Sequence, residues 1–460
     1  MQRILLTLIF FISIHHIAFA QQTRFKNGMT IKKSAVIDSS HYNYNAKSKS
    51  KPVLTIQGKN IVIDFQGATL DGSGGRKAPD QYSGTAIQVK KGTNITIKNL
   101  KITGYKNAIV AKDVNGLKFE NCDFTDQKRR PLSQYGIFYQ LHTISNFNIH
   151  SLLEHAIQLN GCRNIEIAGC RASANENVLS LVNCSSAIIY NNDFSFNSGA
   201  AVVLTNSDHI QLLYNRFNFN VADTLLTTTA AVVMDGLSSY NIIYKNSITH
   251  AVNGMIIGGN AAGKVKGKEA RNLIMENDLS FNISSGIRSY HTDAIINKNR
   301  IFESNTGNLV VAPSNQVISN NQYRFNQIAI DISGIGTSTI HHNLFLEDRT
   351  ALRMSFYGKS RAGHANGVKA IVVANSFNRN RVVFDLNRVD AFSEFNNLFQ
   401  QFDTLFKADT SMMNVDVEED EDLLVELSED IHPSIKEPAS AQNPFKGNGR
   451  FAGRGLVIPM

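Results

Sequence analysis

The phrases Asn277-Asp-Leu279, Asn299-Arg-Ile301, Asn321-Gln-Tyr323 and Asn343-Leu-Phe345 each set an apolar residue two positions after an asparagine, and their asparagines stand 22 apart. The phrase extends backward through Asn192-Asp-Phe194, Asn215-Arg-Phe217 and Asn246-Ser-Ile248, and forward through Asn375-Ser-Phe377 and Asn397-Leu-Phe399. Subtracting successive positions gives 23, 31, 31, 22, 22, 22, 32 and 22. A base period of 22 with three insertions of nine or ten residues is the signature of a repeat architecture.

Within a period, apolar and polar residues alternate over short stretches such as Ile287 to Tyr290 and Ile330 to Ser333, with many β-branched residues and little proline. That is strand patterning, and nothing in the repeat is long enough for a helix. A period of 22 holds three short strands and three turns, so each period predicts one coil of a parallel β-helix. The recurring asparagine is expected to stack at one corner in the left-handed backbone region, its amide bonding neighbouring coils.

From Val53 to about Leu405 the chain resembles the right-handed parallel β-helix proteins of the pectin-lyase-like superfamily. Ile61-Val-Ile-Asp-Phe-Gln-Gly67, Asn94-Ile-Thr-Ile-Lys-Asn99 and Asn192-Asp-Phe-Ser-Phe-Asn-Ser-Gly199 carry the resemblance. It implies an all-β, single-domain solenoid. Members include polysaccharide lyases, glycosidases, uronan epimerases and adhesins, so the fold does not choose an activity. The Gly-His-Gly phrase of the pectin hydrolases is absent, since Gly363-His364 continues with Ala365; the epimerase phrase is absent too, since Tyr135-Gly136 continues Ile-Phe-Tyr. An enzyme with this sequence is a divergent one.

Residues 1–20 carry Arg3, an apolar run from Ile4 to Ile14 and the small-residue ending Ala18-Phe-Ala20, as a cleaved export signal does. A secreted or periplasmic location follows, and no other apolar run is long enough to span a membrane. Residues 21–52 lack the repeat and are expected to form the N-terminal cap of a β-helix over 53–405. Residues 126–134 break the pattern as a protruding basic loop, and 406–460 form a tail that is acidic, then interrupted by Pro433, Pro438 and Pro444. The formal charge is +8; removing Arg3 with the leader and setting aside the nine acids of 416–430 leaves +16 on the rest. An exported basic rod points to an anionic polysaccharide as partner, rather than to nucleic acid. No cofactor site is clear: the acids from Glu418 to Asp422 leave calcium open as a ligand but lack the spacing of a calcium loop.

Cys162 and Cys184 stand 22 apart in matching phrases and are expected in neighbouring coils, as stacked thiols or as a disulfide. Cys122 and Cys170 are expected about two coils apart. No metal spacing emerges; His341 and His342, adjacent in a strand, are expected to face opposite sides.

Aligning the strands of successive coils predicts an outward column of Gln158, Ser180, Val203, Val233, Ile256, Arg288, Val310, Asp331, Arg353 and Asp385, with Tyr290 in the neighbouring column. The charged members Arg288, Asp331, Arg353 and Asp385, together with Tyr290, form the candidate catalytic site. Two basic insertions flank it, bringing Lys264, Lys266, Lys268 and Arg271 from one and Lys359, Arg361 and His364 from the other as candidate substrate-binding residues. A third insertion, 221–229, supplies mostly Thr, Leu and Ala. Elimination on a uronan needs a cation at the carboxylate and a proton-exchanging group, roles that Arg288 or Arg353 and Tyr290 can fill. The plainer reading is an alternating-charge ladder on a sheet face. Three functions stand open: a carbohydrate-active enzyme such as a polysaccharide lyase, a non-catalytic polysaccharide-binding rod, and a structural or adhesive surface protein.

Overall fold

The computed structural model describes residues 22–46, 51–75, 77–129, 154–221, 229–235, 238–258, 271–290, 293–311, 315–333, 336–355, 368–389, 391–408 and 415–416. Among them every sheet pairing is parallel, and the strands form three sheets of 17, 15 and five strands. Each coil gives one short strand to the 15-stranded sheet, such as Ser285–Ser289, and one to the 17-stranded sheet, such as Ala294–Asn297. In the later coils a third strand, such as Arg300–Phe302, joins the five-stranded sheet. In the earlier coils single bridges replace that third strand, joining Lys101, Asp123, Arg171, Asp193, Arg216, Ser247, Asp278 and Arg300 in a column of mostly alternating charge. This is the β-helix that the repeating asparagine phrase predicts.

The asparagines do stack. From Asn192 to Asn397 each ladder member donates both its backbone N–H and its Nδ2 to the Oδ1 of the next, as in Asn299 to Asn321 at 2.9 and 3.0 Å. The same Nδ2 also reaches a carbonyl in the coil before, as Asn299 does to Ile274 O at 2.9 Å. Each buried asparagine amide of this ladder thereby has partners in neighbouring coils, which a β-helix requires because its turns are buried by those coils. The left-handed residue is not the asparagine, as expected, but the residue before it: Tyr214, Lys245, Glu276 and Lys298 have φ between 53° and 55°. The asparagine is selected for its amide, and its neighbour carries the turn.

A second ladder runs along another corner through Asn175, Asn197 and Asn220, then Asn282, Ser304, Asn326, Asp348 and Asn380. Again the preceding residue has positive φ, which turns Phe196, Phe219, His250 and Phe281 outward. Their rings stack in succession at 5.0, 4.4 and 5.1 Å, giving an exposed aromatic ridge.

Inside, the apolar member of each repeated phrase forms a column. Tyr323, Phe345, Phe377 and Phe399 stack at 5.1, 4.7 and 5.3 Å. Asn308 is a buried polar intruder whose Nδ2 donates to the Tyr323 hydroxyl at 2.8 Å. Gly307 makes room for that ring, since a Cβ there would lie 2.9 Å from Tyr323 and 2.4 Å from Ala329 O.

Two sequence expectations on spacing fail. Cys122 and Cys170 lie in adjacent coils, not two apart, because Asp123 bridges Arg171 directly and Arg171 N donates to Cys122 O at 2.8 Å. Residues 130–153, in which the expected basic loop ends, lie outside the described residues, so the separation of the two cysteines is one coil plus an insertion. His341 and His342 do not point apart: the strand ends at His341, His342 turns left-handed at φ 53°, and their Nδ1 atoms come within 3.0 Å. Burial and the neighbouring ring hold His341 at about 4. No cluster of three metal-ligating side chains occurs among the described residues.

Cys162 and Cys184 stack as expected, with Ser185 N donating to Cys162 O at 3.1 Å, and all four thiols are unbonded. They act as weak ladder members: Cys184 Sγ reaches Leu159 O at 3.4 Å, the contact that Ser207 Oγ makes with Leu181 O one coil on. Parallel pairing begins before Val53, where Met29–Ile31 of the expected cap pairs in register with Leu54–Ile56. The expected leader 1–20 and most of the expected tail 406–460 lie outside the described residues.

Candidate functional site

The outward column of the 15-stranded sheet is Thr30, Thr55, Gln88, Val110, Gln158, Ser180, Val203, Val233, Ile256, Arg288, Leu309, Asp331, Arg353, Asp385 and Lys407. One member differs from the expectation: Leu309, not Val310, faces out. In that coil the alternation inverts, because Asn308 takes the inward place where its neighbours have Ile287 and Ile330, and Val310 is buried. The adjacent column is shifted in the same way, with Val311 N on Ser289 O between Tyr290 and Ser333.

Arg288, Asp331, Arg353 and Asp385 thus share one outward row, with Tyr290 beside it. They do not form an open acid–base constellation. Arg353 pairs directly with Asp331, which is only 4% exposed. Asp385 pairs with Lys407 at 3.4 Å, a residue the sequence reading left out. The Arg288 guanidinium lies over the Tyr290 ring at 5.3 Å, and Leu309 separates it from Asp331. Above them, Val203, Val233 and Ile256 point outward yet are buried with Ala200 and Ala230, and Tyr290 packs against this apolar patch. The face therefore runs from apolar to alternately charged, with both of its carboxylates engaged by cations. It can present a guanidinium and an aromatic ring to a ligand.

Of the loop residues expected to wall the site, Lys264, Lys266, Lys268, Lys359, Arg361 and His364 lie outside the described residues. Arg271 is exposed immediately before the strand Asn272–Met275 of the 17-stranded sheet. The third insertion, 221–229, is described only at its two ends.

The family described as "Right handed beta helix region" matches residues 85–248. The chain is a right-handed parallel β-helix protein. That is the fold of the pectin-lyase-like superfamily which its sequence resembles. Among solved structures, this β-helix protein is similar to the A-module of the Azotobacter vinelandii mannuronan C-5 epimerase AlgE6, at 11% identity over 84% of this chain and 90% of that one, with a TM-score of 0.43. It is similar to the periplasmic alginate epimerase AlgG at 10% identity over 82% and 76% of the two chains, with a TM-score of 0.40. It is also similar to PfbA, a surface adhesin of Streptococcus pneumoniae, at 13% identity over 79% and 81%, with a TM-score of 0.36. No curated protein matches the chain.

Two polar groupings escaped the sequence reading. Glu154 is held by Lys106 at 3.0 Å and Lys128 at 3.8 Å, and its backbone N–H donates to the buried Glu176 at 3.3 Å. A second grouping lies at the N-terminal coils, where a cavity of about 680 Å³ is lined by Lys32, Lys90, Lys91 and Lys112. Lys90 and Lys112 stand one period of 22 apart, but Lys32 and Lys91 do not fall on that count, so period counting alone does not assemble the group.

Proposed function

We propose that this is an exported, non-catalytic β-helix protein that binds an anionic polysaccharide along the outer face of its 15-stranded sheet. The observation that supports the reading best is the Arg288–Tyr290 pair, 5.3 Å from guanidinium carbon to ring centroid, on that face. A guanidinium held against an aromatic ring keeps its planar fork of donors in a fixed place, and that fork matches a carboxylate. The basic balance of the chain outside its acidic tail favours an anionic over a neutral glycan. Binding is favoured over elimination because Asp331, Arg353 and Asp385 are already paired with one another or with Lys407.

The test is retention of the full chain on an immobilised polyuronate. The reading expects retention that salt abolishes, elution at lower salt for Arg288→Ala, and no unsaturated-uronate absorbance on incubation with soluble polymer. Passage through the column at low salt would refute binding. Growth of that absorbance would instead establish a lyase.

A further inference from the structure

The charged side chains of the rod are mostly arranged with alternating sign. Lys118 meets Glu166 at 3.1 Å, Lys98 meets Asp64 at 3.2 Å and Arg324 meets Glu347 at 3.1 Å, each pair joining neighbouring coils or strands. The N-terminal coils depart from this rule. In the four coils from Met29 to Lys112, the position just after the last inward residue of each sheet strand is Lys32, Gln57, Lys90 and Lys112. Lys90 and Lys112 are direct cross-strand partners, and Lys91 adds a fourth ammonium beside them. Among the described residues none of the four lysines makes an ion pair.

Like charges directly opposite each other on adjacent strands are destabilising. Here they sit around a cavity of about 680 Å³ with one acid, Asp113, in its lining. The lining therefore carries four cations against one anion. Gln57, in the lysine column, and Gln88, in the column beside it, are both half-buried and offer amide donors. Coils repeat at about 4.8 Å along the axis, so the ammonium groups form a row rather than a point. A single small anion can satisfy one end of such a row. A linear polymer with an anionic group on each unit can satisfy all of it.

We infer that Lys32, Lys90, Lys91 and Lys112 form a binding groove for a linear carboxylated glycan on that same outer face, in coils well before the row at Arg288. The inference rests on the proposed function and extends it to a second contact region toward the N-terminal end of the rod. The lysine row supplies charge, the glutamine amides supply hydrogen bonds to hydroxyl groups, and the polymer relieves the repulsion between Lys90 and Lys112.

The experiment measures equilibrium binding of the full chain to soluble polygalacturonate, with neutral dextran and monomeric galacturonate as comparison ligands. The variant Lys32→Gln/Lys90→Gln/Lys112→Gln is expected to bind the polymer about tenfold more weakly and with a shallower salt dependence, while its urea midpoint is unchanged or raised. The corresponding triple Lys→Arg variant keeps the row of charge and is expected to bind as the parent does. Unchanged polymer binding by the Lys→Gln variant, with loss in Arg288→Ala, overturns the groove and leaves the outer-face reading standing. Loss in the Lys→Gln variant with none in Arg288→Ala does the reverse. Equal affinity for monomer and polymer, or for dextran and polygalacturonate, overturns the row as a polyanion site. A parent chain that binds no polygalacturonate overturns both readings.

Discussion

Replacing Asp348 with asparagine should stabilise this protein, and only above mildly acidic pH. Asp348 holds a place in the second ladder that its neighbours fill with Asn326 and Asn380, and it is 1% exposed. Its Oδ1 behaves like the amide oxygen it replaces, accepting Asn326 N at 2.8 Å and Asn326 Nδ2 at 2.9 Å. Its Oδ2 has no partner among the described residues. In the neighbouring coils the corresponding atom is an Nδ2 donating to a carbonyl of the coil before, Ile301 O for Asn326 and Phe345 O for Asn380. The equivalent carbonyl for Asp348 belongs to Tyr323, so an ionised carboxylate sets two acceptors against each other where a protonated one can donate. Burial accordingly lifts the Asp348 carboxyl from the ordinary 3.8 to about 7, against hydrogen bonds from Asn326 and Leu346 that lower it.

Because the folded pKa lies above the unfolded one, the native chain keeps a proton that the unfolded chain has released, and stability falls as pH rises from about 4 to about 7. At about 1.4 kcal/mol per unit the full effect is roughly 4 kcal/mol. The other groups packed here do not titrate in that window: Asn326 and Asn380 are amides, and burial keeps the Tyr323 hydroxyl protonated far above it. Urea unfolding of parent and Asp348→Asn at pH 4.5 and pH 8 tests this, because the difference between the two chains cancels every other titrating group. The expected gain at pH 8 is a few kcal/mol and at pH 4.5 well under half of that. A gain that is the same at both pH values, or none at pH 8, refutes the reasoning.

Other substitutions test other parts of the fold. Asn299→Ala removes the acceptor of Asn277 and the donor to Ile274 O and leaves buried groups unpaired, so a loss of about 3 kcal/mol or more is expected in the same urea assay. Gly307→Ala forces a methyl to within 2.4 Å of Ala329 O and should cost about 1–3 kcal/mol, whereas an unchanged midpoint would show that the coil can open there. Asp331→Ala removes the carboxylate paired with Arg353 and should destabilise by about 1–3 kcal/mol, partly recovered in the double variant Asp331→Ala/Arg353→Ala. The four cysteines are buried and unbonded, so a maleimide should label none of them in the native protein and all four after denaturation; prompt native labelling would contradict their place in the ladders.

The repeat was readable because one asparagine recurs at a corner that cannot do without its amide. Where another residue takes that corner the period is hidden. Cys122 and Cys170 hold ladder places, and their separation is close enough to two full periods to hide an insertion within a single coil. The outward column shifts at Leu309 because Asn308 takes the inward place, where its amide meets the Tyr323 hydroxyl 15 residues on. The shared face of Arg288, Asp331, Arg353 and Asp385 was legible from period alone. Their pairing was not, because it depends on rotamers and on Lys407, a coil further along. The lysine row stayed hidden because loops of unequal length separate Lys32, Gln57, Lys90 and Lys112 by 25, 33 and 22 in turn.

The first asparagine ladder also gives the molecule a direction. Every side-chain carbonyl from Asn215 to Asn397 points toward the coil before it, so the amide dipoles add along the rod instead of cancelling. A line of aligned dipoles needs a terminator where the last pair of donors finds no further asparagine. At Asn397 the Glu394 carboxylate takes that part, accepting Nδ2 at 3.1 Å. A negative charge set at the positive end of the line closes it, so the two ends of this ladder are electrically unlike even where their coils look the same.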